Sequence, residues 1–243
     1  KLGGTVSARL SCSNINAQQI PSGSRFGKLI KSCFIAPKGK VFVMSDFAAL
    51  EDVVNTLLTN DPVKEDVILK GFDGHSQRTY YFWKDKFPHI DPTNPDSINS
   101  IAKDYPDIRS ASKPAHFALL FQGTWQTLVK NCGFSIDEAK QIETNYHDLY
   151  KVSDAWVRER IDQASIDGYA TGAFGLRIRT PLLNQVVLGN SRTPQEAEAE
   201  ARTLGNAISG QSYGTLNGRA SAEFMERVRA SKWKHDIWLT MQI

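Results

Sequence analysis

The residues with the clearest chemical potential form a row spaced four apart. Arg109, Lys113, Phe117 and Phe121 recur at this interval, and on an α-helix such a row drifts by only about 40° per step, so all four side chains share one face. Cationic side chains bind phosphate oxygens, and aromatic faces stack on bases. The row therefore indicates a surface that could hold a nucleotide lengthwise. A partly buried amphipathic helix whose basic side chains extend to solvent would give the same pattern.

Two acidic residues follow an apolar run earlier in the chain. Val41 to Met44 predicts a strand buried on both faces, with Asp46 at its end and Glu51 on the helix after it. Mg²⁺ prefers carboxylate oxygens together with substrate phosphates. The pair is therefore a candidate cation site, although an acid at the end of a strand is more often an exposed cap or turn.

The remaining chain predicts helices joined by irregular segments and a hairpin. Capping boxes mark the starts of two of the helices. The predicted elements are a helix over 48–58 that ends at TNDP, an irregular excursion over 88–106, a long amphipathic helix from the capping box of Ser135 and Glu138 to Ile161, a hairpin over 167–181, a helix from the capping box of Thr193 and Glu196 to residue 210, and a buried strand in IWLTMQI at 237–243.

Composition narrows the class of protein only slightly. The 243 residues are 41% hydrophobic and 23% charged, and no apolar run approaches the roughly 20 residues of a membrane helix. We therefore expect no membrane contact and a cytoplasmic location, in a host cell if the chain is viral. Three cysteines without a CxxC pair predict reduced, packed thiols, with neither zinc nor a disulfide. The net charge of +3 fits nucleic-acid contact and fits many other soluble enzymes equally well.

Five segments resemble, in the correct order, the motifs of A-family DNA polymerases of the kind that many bacteriophages encode. An ordered match over nearly the whole chain is more specific than any single motif. SARLSCSNINAQQIP resembles TGRLSSxxPNLQNIP, and FGKLIKSCFIAPKGKVFVMSDFAALE resembles the stretch that runs into motif A, DYSxIE. DGHSQRT resembles DxHxxT, the row spaced four apart resembles RxxxKxxxFxxxYG, and RTLGNAISGQ resembles RxxxNxxxQG with one extra residue before Gln211.

The resemblance implies an α/β (α+β) right-hand polymerase fold. The palm sheet would come from residues 1–58 and 167–243, and a mostly helical fingers subdomain from residues 59–166. The thumb and the exonuclease are absent from the matched segments. The implied activity is template-directed addition of deoxynucleotides to a primer 3′ end, by phosphoryl transfer between two Mg²⁺ ions. The implied partners are primer-template DNA and deoxynucleoside triphosphates.

The resemblance also implies a role for each matching residue. Asp46 and Lys113 would take part in catalysis. Asp46 and the backbone carbonyl of Phe47 would bind the two Mg²⁺ ions. Glu51 would exclude the 2′-hydroxyl of ribonucleotides. The full nucleotide-binding set is Glu51, His75, Arg109, Lys113, Phe117 and Phe121. The DNA-binding set is Arg9, Asn16, Gln18, Arg202, Asn206 and Gln211.

Some positions depart from the family pattern. The second catalytic aspartate of the family follows a strand resembling LTMQI, after which this sequence stops. His235 and Asp236 precede that strand and are interpreted as turn residues. We therefore expect another polypeptide to supply the aspartate, the thumb and the exonuclease. Val53 stands where the family usually has arginine, and Pro114 disfavours helical geometry at Lys113, which predicts a kink in the row.

Three alternatives remain open from the sequence. The first is a catalytically silent fragment that binds DNA and nucleotide. The second is a single-subunit RNA polymerase, which shares this palm, although Glu51 argues against it because ribonucleotides need that position open. The third is an unrelated helical protein with chance matches, which would require five ordered coincidences.

Overall fold

The structure is a computed structural model that describes residues 5, 11–14, 20, 26–186 and 193–239. The chain divides into two compact units. The larger unit comprises residues 51–209, and the smaller comprises residues 1–50 and 210–243. Within the described ranges the fold is mostly helical with one two-stranded sheet, so the larger palm sheet expected from the sequence is not seen there.

Helices α2 to α9 and both strands belong mainly to the larger unit. The described residues also form the short helix α1 and the long helix α10. Their bounds are α1 Gly27–Ser32, α2 Leu50–Thr59, α3 Pro62–Lys70, α4 Gly74–Phe82, α5 Pro95–Asp104, α6 Pro106–Leu120, α7 Trp125–Cys132, α8 Ile136–Leu149, α9 Lys151–Asp167, β1 Tyr169–Thr171, β2 Arg177–Arg179 and α10 Gln195–Ala230.

The main apolar core of the larger unit lies among α4 to α8. Burying such side chains is the dominant favourable contribution to folding, and here it locks α4 and α6, which carry the predicted nucleotide-binding residues, against common neighbours. The fully or almost fully buried members include Phe82, Phe87, Ile98, Ile101, Leu119, Leu128, Ile142, Tyr146 and Tyr150.

The predicted hairpin is confirmed as an antiparallel pair in which Ala170 faces Ile178. Both residues are buried, and they join a second apolar cluster with Leu204 and Ile208 of α10. The pattern of one buried residue between exposed neighbours on β2 is the alternation expected of a half-buried strand.

The long helix predicted from Ser135 to Ile161 is wrong, because the chain breaks at Tyr150 between α8 and α9. A residue that is remote in the sequence stabilises this break. Asp61 accepts hydrogen bonds from the backbone N–H and the hydroxyl of Ser153 in the first turn of α9, at 2.9 and 2.8 Å. The same carboxylate caps α3 by accepting from Val63 N–H at 3.0 Å. One buried acid thus starts two helices.

The irregular excursion predicted over 88–106 contains a helix, α5. Its start carries an ordinary signal, since Asn94 caps the N–H of Asp96 at 2.9 Å and Pro95 occupies the first helical position. Pro, Asp, Asn and Ser favour loops, but the same residue types also favour the beginning of a helix, and that is where Asn94 and Pro95 lie.

The strand predicted at Val41 to Met44 is also wrong. Residues 41–47 are irregular and exposed, with Val43 87% and Met44 91% accessible. A strand requires a hydrogen-bonded neighbour, and no described residue pairs with this segment.

Elsewhere in the described part of the smaller unit, helices and turns alternate with irregular residues. Residues 232–236, which include His235 and Asp236, form a turn as predicted. Residues 237–239 are irregular, and the remainder of the second predicted strand lies outside the described residues. Cys33 is exposed rather than packed. No helix in the described ranges is both long enough and apolar enough to cross a membrane.

Candidate active site

Asp73 joins the two helices that carry the predicted nucleotide-binding residues. It caps α4, accepting from the N–H and hydroxyl of Ser76 at 3.2 and 2.5 Å. It also accepts from Nε and Nη2 of Arg109 on α6, at 2.6 and 2.9 Å. Burial alone would raise the pKa of Asp73, but the hydrogen bonds from Arg109 and Ser76 hold its pKa well below its usual range. This two-point ion pair fixes the start of α6 against the start of α4.

A second contact links the same helices one turn further along. The hydroxyls of Thr79 and Ser112 lie 2.9 Å apart, and both residues are fully buried. Thr79 donates to the carbonyl of His75 at 2.7 Å, so its oxygen can accept from the hydroxyl of Ser112. The Ser112 hydroxyl also lies 2.8 Å from the carbonyl of Arg109. Buried hydroxyls thus contact the backbone of both His75 and Arg109, two of the predicted nucleotide-binding residues.

The row spaced four apart forms one surface, as predicted. The ring centroids of Phe117 and Phe121 lie 6.1 Å apart, and that of His75 lies 6.5 Å from Phe117. Phe117 is 38% and Phe121 36% exposed. Lys113 makes no hydrogen bond or salt bridge to any residue that the structure describes. We call His75, Arg109, Lys113, Phe117 and Phe121 the stripe surface.

Pro114 lies inside α6, which continues through it to Leu120. Proline has no N–H, so the carbonyl of Ser110 lacks its usual helical donor, and the exposed position of Ser110 leaves it open to water. The helix ends just before Phe121, where Gln122 adopts a positive φ of 61° and Gly123 N–H donates to Ala118 O at 2.8 Å. A Cβ on Gly123 would lie 2.6 Å from that same oxygen, so this tight ending requires glycine.

A buried network behind the stripe surface was missed by the sequence analysis. Arg78, whose side chain is 3% exposed, lies with Nη2 3.0 Å from Oδ2 of Asp52 and 3.1 Å from Nδ1 of His75. The other oxygen of Asp52 lies 3.2 Å from Nε2 of the fully buried His116. We call Asp52, His75, Arg78 and His116 the Arg78 network.

The signal for this network was present in the motif spacing. The pattern DxHxxT has two residues between histidine and threonine, whereas this chain has three between His75 and Thr79. Arg78 therefore occupies the position of the pattern's threonine. Val53, in contrast, replaces the arginine that the family usually carries on the helix after motif A. Relative to the family pattern, this chain thus lacks an arginine on α2 and has an additional arginine on α4.

The protonation states in the Arg78 network follow from burial and charge. Burial alone would raise the pKa of Asp52, but the hydrogen bond from His116 and the charge of Arg78 hold its pKa well below its usual range. Burial, followed by the charge of Arg78, lowers the pKa of His116 to about 3. The same two causes lower the pKa of His75 to about 4. Near neutral pH the network therefore holds one ion pair and two neutral imidazoles.

A second buried cation, Lys64, lies in the same unit. Lys64 donates to Oδ1 of Asn55 at 2.5 Å, and its ammonium lies 4.6 Å from the centre of the Tyr150 ring. Burial, opposed by the charges of Asp61 and Asp52, lowers the pKa of Lys64 to about 8. The described contacts of Lys64 are with Asn55 and Tyr150 and do not include the stripe surface, which makes Lys64 a useful reference for the role of Arg78.

Unlike the stripe surface, the acidic residues predicted as a candidate cation site are divided between the two units. Asp46 and Phe47 are exposed on the irregular segment of the smaller unit, whereas Glu51 lies half-buried in the first turn of α2 in the larger unit. Among the described residues, no three His, Cys, Asp or Glu side chains group together as a metal site would require. These residues alone therefore do not form a complete site for the two Mg²⁺ ions implied by the resemblance.

The predicted DNA-binding residues are only partly described. Arg9, Asn16 and Gln18 lie outside the described residues. On α10, Arg202 is exposed and lies 3.8 Å from Glu198, and Asn206 is half-buried. Gln211 is buried, and its position nine residues after Arg202 lies about half a turn around an α-helix from it. The extra residue before Gln211 therefore takes it out of the row.

The fold is that of a polymerase domain. The chain matches the POL domain of Pol1 from M. smegmatis, whose structure is a complex with DNA primer-template and dNTP, with a TM-score of 0.70. The match covers 91% of this chain and 37% of that chain at 22% sequence identity, so this likeness establishes the fold alone.

The sequence narrows that class to one family: the chain belongs to DNA polymerase family A, which it matches over residues 1–212. It is 27% identical over 180 residues to a thermostable DNA polymerase I of Thermus thermophilus and 25% identical over 177 residues to that of Thermus filiformis. It is also 25% identical over 171 residues to a DNA polymerase of Mycobacterium phage D29. These alignments cover 70–74% of this chain but only 20–25% of those proteins.

Proposed function

We propose that this chain provides the nucleotide-binding surface of a DNA-directed DNA polymerase that extends a primer 3′ end with deoxynucleotides. The stripe surface carries the proposal, because it presents the ammonium of Lys113, which pairs with no described residue, together with a partly exposed imidazole and two neighbouring aromatic rings. The helices that carry these groups are tied together by Asp73 and Arg109. Membership of DNA polymerase family A supports the choice of a deoxynucleoside triphosphate as the ligand.

Each member of the stripe surface would have a distinct role. The ammonium of Lys113 would bind triphosphate oxygens and stabilise charge that develops during phosphoryl transfer. Arg109 uses two of its five N–H groups on Asp73, so three remain for phosphate. Phe117 would pack against the sugar and base, and Phe121 would lie next to the new base pair. Glu51 would exclude a 2′-hydroxyl.

The rest of the reaction requires groups that the described residues do not assemble. Family A polymerases use divalent metal ions, and we propose that Asp46 and the carbonyl of Phe47 contribute to a Mg²⁺ pair together with ligands from a further polypeptide segment. Arg9, Asn16, Gln18, Arg202, Asn206 and Gln211 are proposed to contact primer-template DNA, mainly through groups that do not report sequence. The phage relative is consistent with a bacteriophage source and a cytoplasmic setting in the host.

Nucleotide binding is tested first, on the complete 243-residue chain. Titration of dATP against Lys113→Ala should show a Kd at least about tenfold weaker than for the unmodified chain, because a charge-assisted contact to phosphate is lost. Lys103→Ala, on the exposed end of α5, is the matched control and should leave the Kd unchanged. Equal affinities of the two variants would refute the assignment of the stripe surface.

Primer extension with Mg²⁺ and deoxynucleotides tests the activity. We expect extension when a polypeptide carrying the second family aspartate is added, and loss of extension in Asp46→Ala. Binding of primer-template without extension under either condition would instead identify a catalytically silent fragment that binds DNA and nucleotide.

A further inference from the structure

We propose that Arg78 is a positioning residue for the nucleotide, because its guanidinium holds the ring of His75 as the tautomer whose hydrogen is on Nε2. That nitrogen would then donate to a phosphate oxygen of the bound nucleotide. The choice of ligand rests on the proposed function above, whereas the tautomer of His75 does not.

The argument for the tautomer begins with hydrogen-bond chemistry. A guanidinium has five N–H donors, no acceptor and is always charged in proteins. Nη2 of Arg78 lies 3.1 Å from Nδ1 of His75, so Nδ1 must accept with its lone pair. A neutral imidazole that accepts at Nδ1 carries its hydrogen on Nε2. A cationic ring would place two donors against each other.

The guanidinium is itself held in place. Nη2 has two hydrogens and two acceptors within reach, Oδ2 of Asp52 at 3.0 Å and Nδ1 of His75 at 3.1 Å. Arg78 is almost completely buried, so turning away from Asp52 would leave an unpaired buried charge, which is strongly unfavourable. Gly74 lies in the preceding turn, where a Cβ would come within 3.3 Å of Nη2. Glycine at position 74 thus leaves room for the guanidinium, and the ion pair with Asp52 holds its orientation.

The charges that face His75 agree with a neutral ring. Arg78 and Lys113 disfavour its cationic form, whereas Asp52 and Asp73 favour it. Burial and the contact with Arg78 are the larger effects, so the ring stays neutral at physiological pH. Nε2 of His75 makes no hydrogen bond with the described residues, and this leaves its N–H available to a ligand.

His116 shows that the contact, and not the type of residue, selects the role of each ring nitrogen. Nε2 of His116 faces a carboxylate oxygen of Asp52 at 3.2 Å, so it must donate. Nδ1 of His75 faces a guanidinium, so it must accept. Both rings carry hydrogen on Nε2. In His116 this N–H donates to Asp52 inside the protein, whereas in His75 it remains available to a ligand.

The test uses nitrogen-15 NMR of the histidine rings in the complete chain, where the pattern of couplings between ring nitrogens and carbon-bound hydrogens distinguishes the two tautomers and the cation. A His75→Asn variant assigns the His75 signals. We expect the Nε2–H tautomer at pH 7 in the unmodified chain. Observation of the Nδ1–H tautomer or of the cation would overturn the proposal without recourse to any variant.

Variants then connect the tautomer to binding. In Arg78→Met we expect a mixture of His75 tautomers, a midpoint of His75 titration that moves upward toward 6.5, and a Kd for dATP about tenfold weaker. Arg78→Lys retains a donor and should restore most of both signals. Lys64→Met removes another buried cation that does not touch His75, so it should leave the His75 tautomer and the Kd unchanged.

The outcomes separate the two proposals. An unchanged tautomer and Kd in folded Arg78→Met would overturn the positioning role. Changes of equal size in Lys64→Met would also overturn it, because they would show a general loss of structure. An Nε2–H tautomer that depends on Arg78 in a chain without affinity for dATP would support the role of Arg78 in holding His75 and would refute the proposed function.

Discussion

The two sets of residues assigned to the site differ in how the protein holds them. The nucleotide-binding residues lie on α4 and α6, where Asp73, the buried hydroxyls of Thr79 and Ser112, and the Arg78 network define the position of the backbone and of several side chains. Asp46 and Phe47 lie on an exposed irregular segment without strand pairing to any described residue. The larger unit therefore organises the first set, whereas no comparable set of contacts among the described residues organises the second.

The difference teaches that apolar composition and structural order are separate properties. Residues 41–44 are as apolar as any segment of the core, yet they are exposed. The surroundings of His75 contain two aspartates, an arginine and a lysine, yet they are well defined because most of these charges have a partner at hydrogen-bond distance. Buried polar groups specify geometry when their partners are present.

The largest contrast should appear when one aspartate is removed from each region. Asp52→Ala leaves Arg78 buried without its counter-ion and removes the acceptor of His116, so we expect the free energy of unfolding to fall by about 3 kcal/mol or more. Asp46→Ala is exposed and should change it by less than about 0.5 kcal/mol. Urea unfolding followed by tryptophan fluorescence measures both. A large loss in Asp46→Ala would contradict the exposed position of this residue.

A pair of glycines gives a second contrast. In Gly123→Ala the new Cβ would clash with the backbone oxygen of Ala118, which should destabilise the chain by about 1–3 kcal/mol and displace Phe121. Gly39 has a positive φ of 77° but open space around it, so Gly39→Ala should cost only about 1 kcal/mol of backbone strain. Thermal unfolding compares the two, and equal losses would contradict a steric origin at Gly123.

The pH dependence of stability should reflect the larger unit. His116 has a pKa of about 3 in the folded chain, below its ordinary value of 6.5, so the unfolded chain binds more protons between these values. The free energy of unfolding should therefore fall as the pH drops below about 6.5, with His116 contributing up to about 1.4 kcal/mol per pH unit. His116→Gln keeps a donor to Asp52 and should flatten the slope in urea titrations.

His147 provides a control of opposite sign. Its hydrogen bond to Asp154 at 2.6 Å raises its pKa above 6.5, so its contribution to stability is fully present below that pH and is lost as the pH rises through the raised value. Above pH 6.5 the unmodified chain should therefore lose stability as this proton is released. His147→Gln should remove that loss and leave the slope below pH 6.5 nearly unchanged, and an unchanged slope above pH 6.5 would contradict this assignment of proton uptake.

The smallest effect on stability should come from the aromatic residues of the stripe surface. Phe117→Ala and Phe121→Ala remove partly exposed rings, so we expect losses well below those of the buried residues of the core. Their effect on dATP should be larger, because stacking on a base contributes about 1–3 kcal/mol. Unfolding and nucleotide titration of the same preparations separate the two effects, and stability losses as large as that of Asp52→Ala would assign both rings to the core instead.

Local features of the fold were predictable where a signal lay within a few residues. The row of α6, the hairpin around Ala170 and Ile178, and the turn at His235 all follow from spacing or turn chemistry. The break at Tyr150 was not predictable, because Asp61 caps α9 from 92 residues away. The strand at Val41 to Met44 failed for a related reason, since pairing depends on a neighbour that a local pattern cannot supply.

Likewise, only part of the candidate site could be predicted from the sequence. Arg109, Lys113, Phe117 and Phe121 could be placed on one face by counting residues. The pairing of Asp52 with Arg78 joins residues 26 positions apart, and its only trace was one surplus residue in the DGHSQRT motif. When a motif is matched with such a shift allowed, the additional residue, here Arg78, is easily overlooked.

Gly74 has an implication for how this family varies. A side chain at position 74 would crowd the guanidinium of Arg78 and the methyl group of Val67, both at 3.3 Å. Homologues with arginine at position 78 should therefore carry glycine at position 74. These two columns of an alignment should covary, which would make the glycine–arginine pair a lineage marker that can be recognised from sequence.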